Sequence, residues 1–344
     1  MKIVTIENKS EWDDLLSKCG KVSILQTWEY GEAKQNAEGW MPIRSLIIDG
    51  EIPIGIVQTL VRKIPLFQGI VRINRGPLIL QEYHKSQLDL FLQILKLLHD
   101  YWVKRQRMIL FIAPNIQKNE IDCVKLQEIG YRATDNNAWE SILVELSLDE
   151  VALRKNLHQK WRNLLNKAEK GNLELEIANS AEGLSFLMCK YNQMMAEKNF
   201  SGPSEKLIKE IKNVTLDESS VQVMFAVKNG VRIGGVLVLG YIDTCHYLVG
   251  WNSPEGKIFQ SNYFLLWQAI LLSKKMGYRW FDLGGINEKL TPGITHFKRG
   301  LSGKEYTLIG EFEAFPQNPF YLLTMKIIKM GLNFKKFVDN IINW

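Results

Sequence analysis

The chain repeats its own pattern. Residues 47–62 (IIDGEIPIGIVQTLVR) pass through a turn at Gly50 into an apolar strand, and residues 227–241 (VKNGVRIGGVLVLGY) do the same at Gly230. After the first come the amphipathic stretch 88–104 and the apolar run 108–113; after the second come 263–275 and 278–283. Apolar spacing predicts a helix and then a strand in each case. Strand, strand, helix, strand, met twice, predicts a duplicated α/β unit rather than one continuous sheet. A length of 344 residues suits two such units, at roughly 150 residues per domain.

The first unit is expected over residues 1–147, closing on the strand 139–146 (WESILVEL). Ser147 to Glu150 (SLDE) has the spacing of a capping box and opens the next helix. The second unit is expected over 148–315. Gln317, Asn318 and Pro319 then break the chain, and 316–344 read as a C-terminal helical segment interrupted at Gly331. That segment mixes Leu322, Ile327, Phe334 and Ile341 with Lys326, Lys329, Lys335 and Lys336. Such a helix packs on the first domain or lies on an anionic membrane surface.

Composition excludes several classes. With 46% hydrophobic and 23% charged residues the chain is globular, not disordered. Cys19, Cys123, Cys189 and Cys245 lie far apart, without metal-binding or redox spacing. Free thiols, no apolar leader and no run of about 18 apolar residues lead to the expectation of a cytoplasmic protein, with its cytoplasmic membrane face as the alternative.

A net charge of +6 is too small to make the whole chain a polyanion binder. Its distribution matters more. Over 150–170 a helix is expected with Leu153, Leu157, Trp161, Leu164 and Ala168 as its buried stripe. Arg154, Lys155, Lys160, Arg162, Lys167 and Lys170 lie off that stripe, with Glu169 the one acid between 154 and 170. This patch can attract phosphates by counterion release, and it equally fits a solvated basic face.

The phosphate loop, the dinucleotide fingerprint, the zinc-binding His pair and the nucleophile elbow are all missing. No metal or redox cofactor is expected. The densest chemistry lies in 280–287 (WFDLGGIN) and 291–300 (TPGITHFKRG). Asp282 ends an apolar strand, Gly284 and Gly285 allow a turn or a close ligand, and Lys298 follows. A carboxylate and an ammonium brought together can serve acyl transfer, the acid taking the amine proton and the cation stabilising the oxyanion. A structural salt bridge beside a glycine turn would give the same pattern.

These two blocks, with 25–34 (LQTWEYGEAK), Arg75-Gly76-Pro77 and 158–171 (HQKWRNLLNKAEKG), resemble the Fem family of peptidoglycan bridge-forming aminoacyltransferases, nearly end to end and in order. The resemblance implies an α/β fold of two tandem GNAT-like (acyl-CoA N-acyltransferase-like) domains with mixed sheets. It implies transfer of an amino acid from aminoacyl-tRNA to an amine of a cell-envelope precursor, nucleotide- or lipid-linked. Phe297 and Lys298 match the family's Phe-Lys pair, whose lysine is held to stabilise the transition state and the tRNA end. Lys34 matches a lysine associated with substrate phosphate. Trp28, Gly284, Gly285, Asn287 and Tyr247 complete the candidate substrate-binding set, and Arg154, Lys160, Arg162 and Lys167 the tRNA- or phosphate-binding set. Where members using muramyl nucleotides carry His-Arg-Pro, this chain carries Ser201, Gly202 and Pro203. It also lacks the charged coiled-coil insertion of some members, which places it with the insertion-free branch.

The donor can be argued from the residues. Acyl-CoA-using GNAT domains cradle the pyrophosphate on a glycine-rich turn before a helix. The corresponding stretch 251–262 (WNSPEGKIFQSN) contains only Gly256. Aminoacyl-tRNA is therefore the expected co-substrate, and acyl-CoA the alternative donor, for a polysaccharide or lipid amine. A non-catalytic tRNA- or polyanion-binding relative is the third alternative.

Overall fold

The structure, a computed structural model, describes residues 1–317 except 21, 65–66, 83–86, 199 and 216. The expected C-terminal helix and its membrane surface lie outside the described residues. Among the described residues no helix is long and apolar enough to cross a membrane.

In chain order the strands are β1 (Lys2–Thr5), β2 (Met41–Asp49), β3 (Ile52–Ile64), β4 (Phe67–Asn74), β5 (Leu78–Ile79), β6 (Ile109–Ala113), β7 (Arg132–Ala133), β8 (Glu140–Glu145), β9 (Glu174–Ile177), β10 (Val221–Lys228), β11 (Val231–Tyr241), β12 (Thr244–Asn252), β13 (Trp280–Asp282), β14 (Lys304–Thr307) and β15 (Phe312–Ala314). The helices are α1 (Lys9–Ser17), α2 (Trp28–Glu38), α3 (Gln87–His99), α4 (Cys123–Ile129), α5 (Glu150–Asn156), α6 (Gln159–Glu169), α7 (Ala181–Lys198), α8 (Glu205–Val214), α9 (Pro254–Ile258), α10 (Ser261–Lys275) and α11 (Pro292–Arg299).

Two compact units result. Unit 1 holds Met1–Ala138 and Ser201–Val214 and takes up the chain again from Leu308; unit 2 holds Trp139–Phe200 and Thr215–Thr307. The sheet of unit 1 runs β1-β2-β3-β4-β6-β15-β7, with β5 also on β3, and that of unit 2 runs β9-β10-β11-β12-β13-β8-β14. The two orders correspond position by position, so the duplication expected from the sequence is present in the backbone. The β2/β3 hairpin turns at Gly50 (φ +61°), and β10/β11 turns at Asn229 and Gly230 (φ +52° and +78°). Positive φ at such turns matches the twist of the paired strands. The parallel pairs β4/β6 and β12/β13 need crossovers, supplied by α3 and α10.

Each unit has its own core. In unit 1, Ile94, Leu95 and Leu98 of α3 cluster with Val71, Ile73, Leu110 and Ile112 of the sheet. In unit 2, Leu265, Ala269 and Ile270 of α10 cluster with Val236, Val238 and Phe281, joined by Trp161 and Leu165 of α6. Burying one such Leu or Ile side chain contributes about 1.5–3 kcal/mol.

The structure divides the chain differently from the expected 1–147 and 148–315. Strand β8, expected to close the first unit, sits between β13 and β14 in the second sheet. Strand β15, expected in the second unit, fills the matching place beside β6 in the first. The segment with α8 also joins unit 1, where α8 packs on α2. Alternation of apolar residues fixes which face of a strand is buried and is silent about which sheet receives it. The expected helix over 150–170 is two helices: Leu157 leaves α5 with ψ 140°, and the His158 N–H goes to the Gly300 carbonyl at 2.9 Å. The break shifts the register, so Leu165 is fully buried where Leu164 was expected, and Leu164 is half-buried.

Candidate active site

Strands β12 and β13 pair in parallel from Thr244–Trp280 to His246–Asp282. Strand β12 then continues to Asn252, while the chain beyond Asp282 stays with β8: Leu283 N–H reaches the Ile142 carbonyl and Ile286 N–H the Glu140 carbonyl, both at 2.9 Å. The pairing therefore ends where two parallel strands part at their carboxyl ends. That is where open α/β sheets hold ligands. Gly284 sits at this point with φ +72°, and a Cβ there would lie 2.8 Å from the Tyr247 carbonyl. Both facts require glycine.

Helix α11 supplies the cation. Pro292 starts the helix, and Thr295 and Lys298, three residues apart, share its buried face. Lys298 is 6% exposed. Its ammonium donates to the Gly285 carbonyl at 2.7 Å and stands 5.6 Å from the centre of the Tyr247 ring. Burial pushes the Lys298 pKa down to about 8, against the opposing charge of Asp282. While it keeps its proton, a charge this poorly solvated is what an oxyanion-stabilising group needs.

Asp282 is buried and engaged at both oxygens. Oδ1 accepts from the Ser141 hydroxyl at 2.5 Å and from the Gly284 N–H at 2.8 Å; Oδ2 accepts from the Tyr306 hydroxyl at 2.7 Å. His246 Nδ1 lies 3.8 Å from Oδ2. Strand register explains the gathering: Ser141 of β8 faces Tyr306 of β14, and Leu143, two residues along β8 on the same face, faces Asp282.

Phe297 points the other way along α11. It meets Tyr263 edge-on at 4.9 Å and Trp161 of α6 at 5.9 Å between ring centres. Phe297, Tyr263 and Ile294 form the apolar side of a cavity of about 270 Å³, with Asn252, Lys257 and Gln260 supplying polar groups. Trp161 thus connects the aromatic wall to the helix carrying the basic residues on its outer side.

The remaining candidates separate. Tyr247 lies beneath Lys298 and fills the space left by Gly250, where a Cβ would sit 1.8 Å from its hydroxyl. Asn287 shapes the loop into α11: its side chain accepts from the N–H groups of Lys289 and Leu290 at 3.1 and 2.9 Å. Among the expected phosphate ligands, Lys160 and Lys167 are exposed. Arg162 donates to the Lys155 carbonyl at 2.9 Å, and Arg154 is paired with Glu169 at 2.5 Å. Arg154 therefore ties α5 to α6.

Trp28 and Lys34 belong to unit 1. The Arg44 guanidinium lies 3.5 Å over the Trp28 ring, and Lys34 pairs with Glu38 at 2.5 Å. Burial holds the Lys34 pKa below the ordinary lysine value, Glu38 opposing and Arg72 and Arg62 adding to the depression. Ser141, Tyr306, His246 and Tyr263 were not expected. For Ser141, His246 and Tyr263 the sequence signal is a polar or aromatic residue inside a mainly apolar strand or helix; Tyr306, in the polar strand KEYT, carries none. Among the described residues no group of three His, Cys, Asp or Glu side chains could hold a metal ion.

Residues 190–329 match the model of the FemAB family. Over that segment the chain is similar to the FemAB family. A crystal structure of FemX superposes with TM-score 0.76 at 16% identity, covering 94% of this chain and 99% of that one. A tandem GNAT protein from the clavulanic acid biosynthesis pathway gives TM-score 0.55 at 11% identity over 92% and 99%. L-PGS from Bacillus licheniformis gives 0.51 at 12% identity over 93% and 96%. The fold of this chain is the tandem GNAT fold with two mixed sheets. No curated protein gives a significant sequence match.

Proposed function

We propose that this chain is a Fem-type acyltransferase that moves an amino acid from aminoacyl-tRNA to an amine of a cell-envelope precursor of the peptidoglycan type. The observation that carries the reading is Lys298: a buried ammonium at the parting of β12 and β13, on the helix whose preceding residue, Phe297, lines a cavity. An ester carbonyl placed against Lys298 would develop its negative charge next to that ammonium. The neutral acceptor amine attacks the carbonyl carbon, and the bond to the tRNA ribose oxygen breaks. The amine proton passes to that leaving oxygen, so amide and free hydroxyl form without a protein base.

Two features favour a tRNA donor over acyl-CoA. Gly256, the one glycine before α10, is packed against protein: a Cβ would lie 2.0 Å from Asn252 Oδ1 and 2.2 Å from the Ile233 carbonyl. It leaves no glycine-rich cradle for a pyrophosphate. Helix α6 carries Lys160, Arg162 and Lys167, while its inner face touches Phe297 through Trp161. A phosphate backbone lying along that helix would bring its end toward the cavity. Lys34 remains the candidate for acceptor phosphate.

The deciding experiment incubates the protein with an acceptor precursor and either a mixture of charged tRNAs or acetyl-CoA, and weighs the product. An aminoacyl mass increment with charged tRNA is expected. An acetyl increment alone overturns the donor assignment, and no product with either donor returns the chain to a binding role.

A further inference from the structure

We propose that Asp282 is a positioning residue: anchored by Ser141 and Tyr306, it sets the Gly284–Gly285 turn and, through that turn, the place of the Lys298 ammonium. The carboxylate does not hold the lysine directly. The basic side chain within 4 Å of the Asp282 carboxylate is His246, and Lys298 donates instead to the Gly285 carbonyl.

The connection runs through the backbone. Asp282 Oδ1 accepts from the N–H two residues on, that of Gly284, the arrangement by which aspartate side chains stabilise turns. The Ser141 hydroxyl, whose one proton is shared between Asp282 Oδ1 and the Gly284 carbonyl 2.9 Å away, links the carboxylate to this residue's C=O as well as its N–H. With Gly284 locked at φ +72°, the next carbonyl is aimed at Lys298. Ser141 and Tyr306 come from neighbouring strands and meet the carboxylate by register. They fix its orientation as a second layer of hydrogen bonds fixes a working group. Both carboxylate oxygens are engaged with protein donors, which suits a holding role and leaves proton transfer to the substrates.

The inference rests on Lys298 being the working cation, and its test needs no turnover. The full chain is labelled with trace acetic anhydride above pH 10, where lysine is neutral and its reaction rate reports access and position. Modification of Lys298 is then followed by mass spectrometry. Asp282→Ala frees the turn, and the Lys298 labelling plateau should rise about fivefold. Asp282→Asn, whose side-chain carbonyl still accepts from the Gly284 N–H, should stay within about twofold of the natural protein. Ser141→Ala and Tyr306→Phe should fall between. An unchanged plateau in Asp282→Ala, or Asp282→Asn matching Asp282→Ala, overturns the clamp. If Asp282→Ala fails to fold by circular dichroism, unchanged plateaus in both Ser141→Ala and Tyr306→Phe overturn it instead.

A second readout separates the clamp from the transfer reading. In the charged-tRNA assay a base role makes Asp282→Asn as inactive as Asp282→Ala. Positioning keeps Asp282→Asn active, with its KM and the acidic limb of its pH profile unchanged. Absence of transfer by the natural protein would count against the proposed function and leave the labelling result standing.

Discussion

The two units share one strand order and differ in what lies at the same place. In unit 1 the central parallel pair holds over five steps, from Ile70–Ile109 to Asn74–Ala113. Its polar content is closed off: Arg72 on β4 pairs with Glu311, just before β15, at 2.7 Å, both side chains buried. Asn74 accepts from Arg72 at 2.8 Å, and Glu311 accepts from Asn136 at 2.7 Å. In unit 2 the matching pair holds over three steps and then parts. There the buried carboxylate of Asp282 takes hydrogen bonds from neutral donors, and the cation stands apart from it on α11. The same backbone thus holds a neutralised pair in one unit and an unneutralised ammonium in the other. Only the second arrangement leaves charge available to a reacting carbonyl.

Breaking the closed pair should have the largest effect. Arg72→Met leaves Glu311 buried without its partner, and such losses cost about 3–5 kcal/mol. Urea unfolding is expected to show that loss, with kcat per folded molecule unchanged. Arg72→Met together with Glu311→Leu should recover much of the stability, because burying an ion pair gains little over apolar packing. A single variant as stable as the natural protein would show that the pair is not structural.

Next comes Lys298→Ala. Removing one oxyanion-stabilising donor lowers kcat by about 10²–10³, and circular dichroism should show an intact fold. The contrast with Arg72→Met is the point: one variant loses turnover and keeps stability, the other the reverse. Unchanged kinetics in Lys298→Ala would end the oxyanion assignment.

The same lysine separates activity from stability in pH. Its folded pKa of about 8 lies below the ordinary 10.5, chiefly through burial. Activity needs the ammonium, so kcat should fall as pH rises through about 8, and it should also fall toward acid as the acceptor amine becomes protonated. Stability moves oppositely. Between pH 8 and 10.5 the unfolded chain keeps a proton that the folded chain has released, so the Lys298 contribution to stability rises with pH. Thermal unfolding of Lys298→Met should lack that rise. An identical pH dependence in both proteins would mean that Lys298 titrates normally.

The duplication was legible because its signals are local: glycine turns, apolar alternation, and a helix before each central strand. Asp282, Gly284 and Lys298 were legible because unusual residues crowd a short stretch. The exchange of β8 and β15 was not. Residues 139–146 read correctly as a strand and 312–314 were not read as one; the partners of both lie far along the chain, and Ile142 and Val144 would suit either core. Ser141 and Tyr306 were hidden for the same reason, since a lone hydroxyl in a strand acquires meaning only when register sets it beside a carboxylate. The break at Leu157 carries no proline or glycine; it follows from His158 bonding to Gly300, a contact no window of sequence contains.

The smallest effect concerns the basic helix and corrects the simplest reading of its charge. Arg154 faces Glu169 and donates to Asn166 at 2.6 Å, so its charge is matched within the fold. Lys160 and Lys167 are exposed without an ion pair among the described residues. Binding of charged tRNA should weaken with salt, and each phosphate contact removed should lower the slope of log K against log salt by about 0.7–0.9. Lys160→Gln, Arg162→Gln and Lys167→Gln together should lower it by up to about three such steps. Arg154→Gln should change it less and instead loosen the junction of α5 and α6, which hydrogen exchange would detect. A triple variant with an unaltered salt slope would make the helix a solvated face, and the donor's phosphates would have to be sought at Lys257 by the cavity.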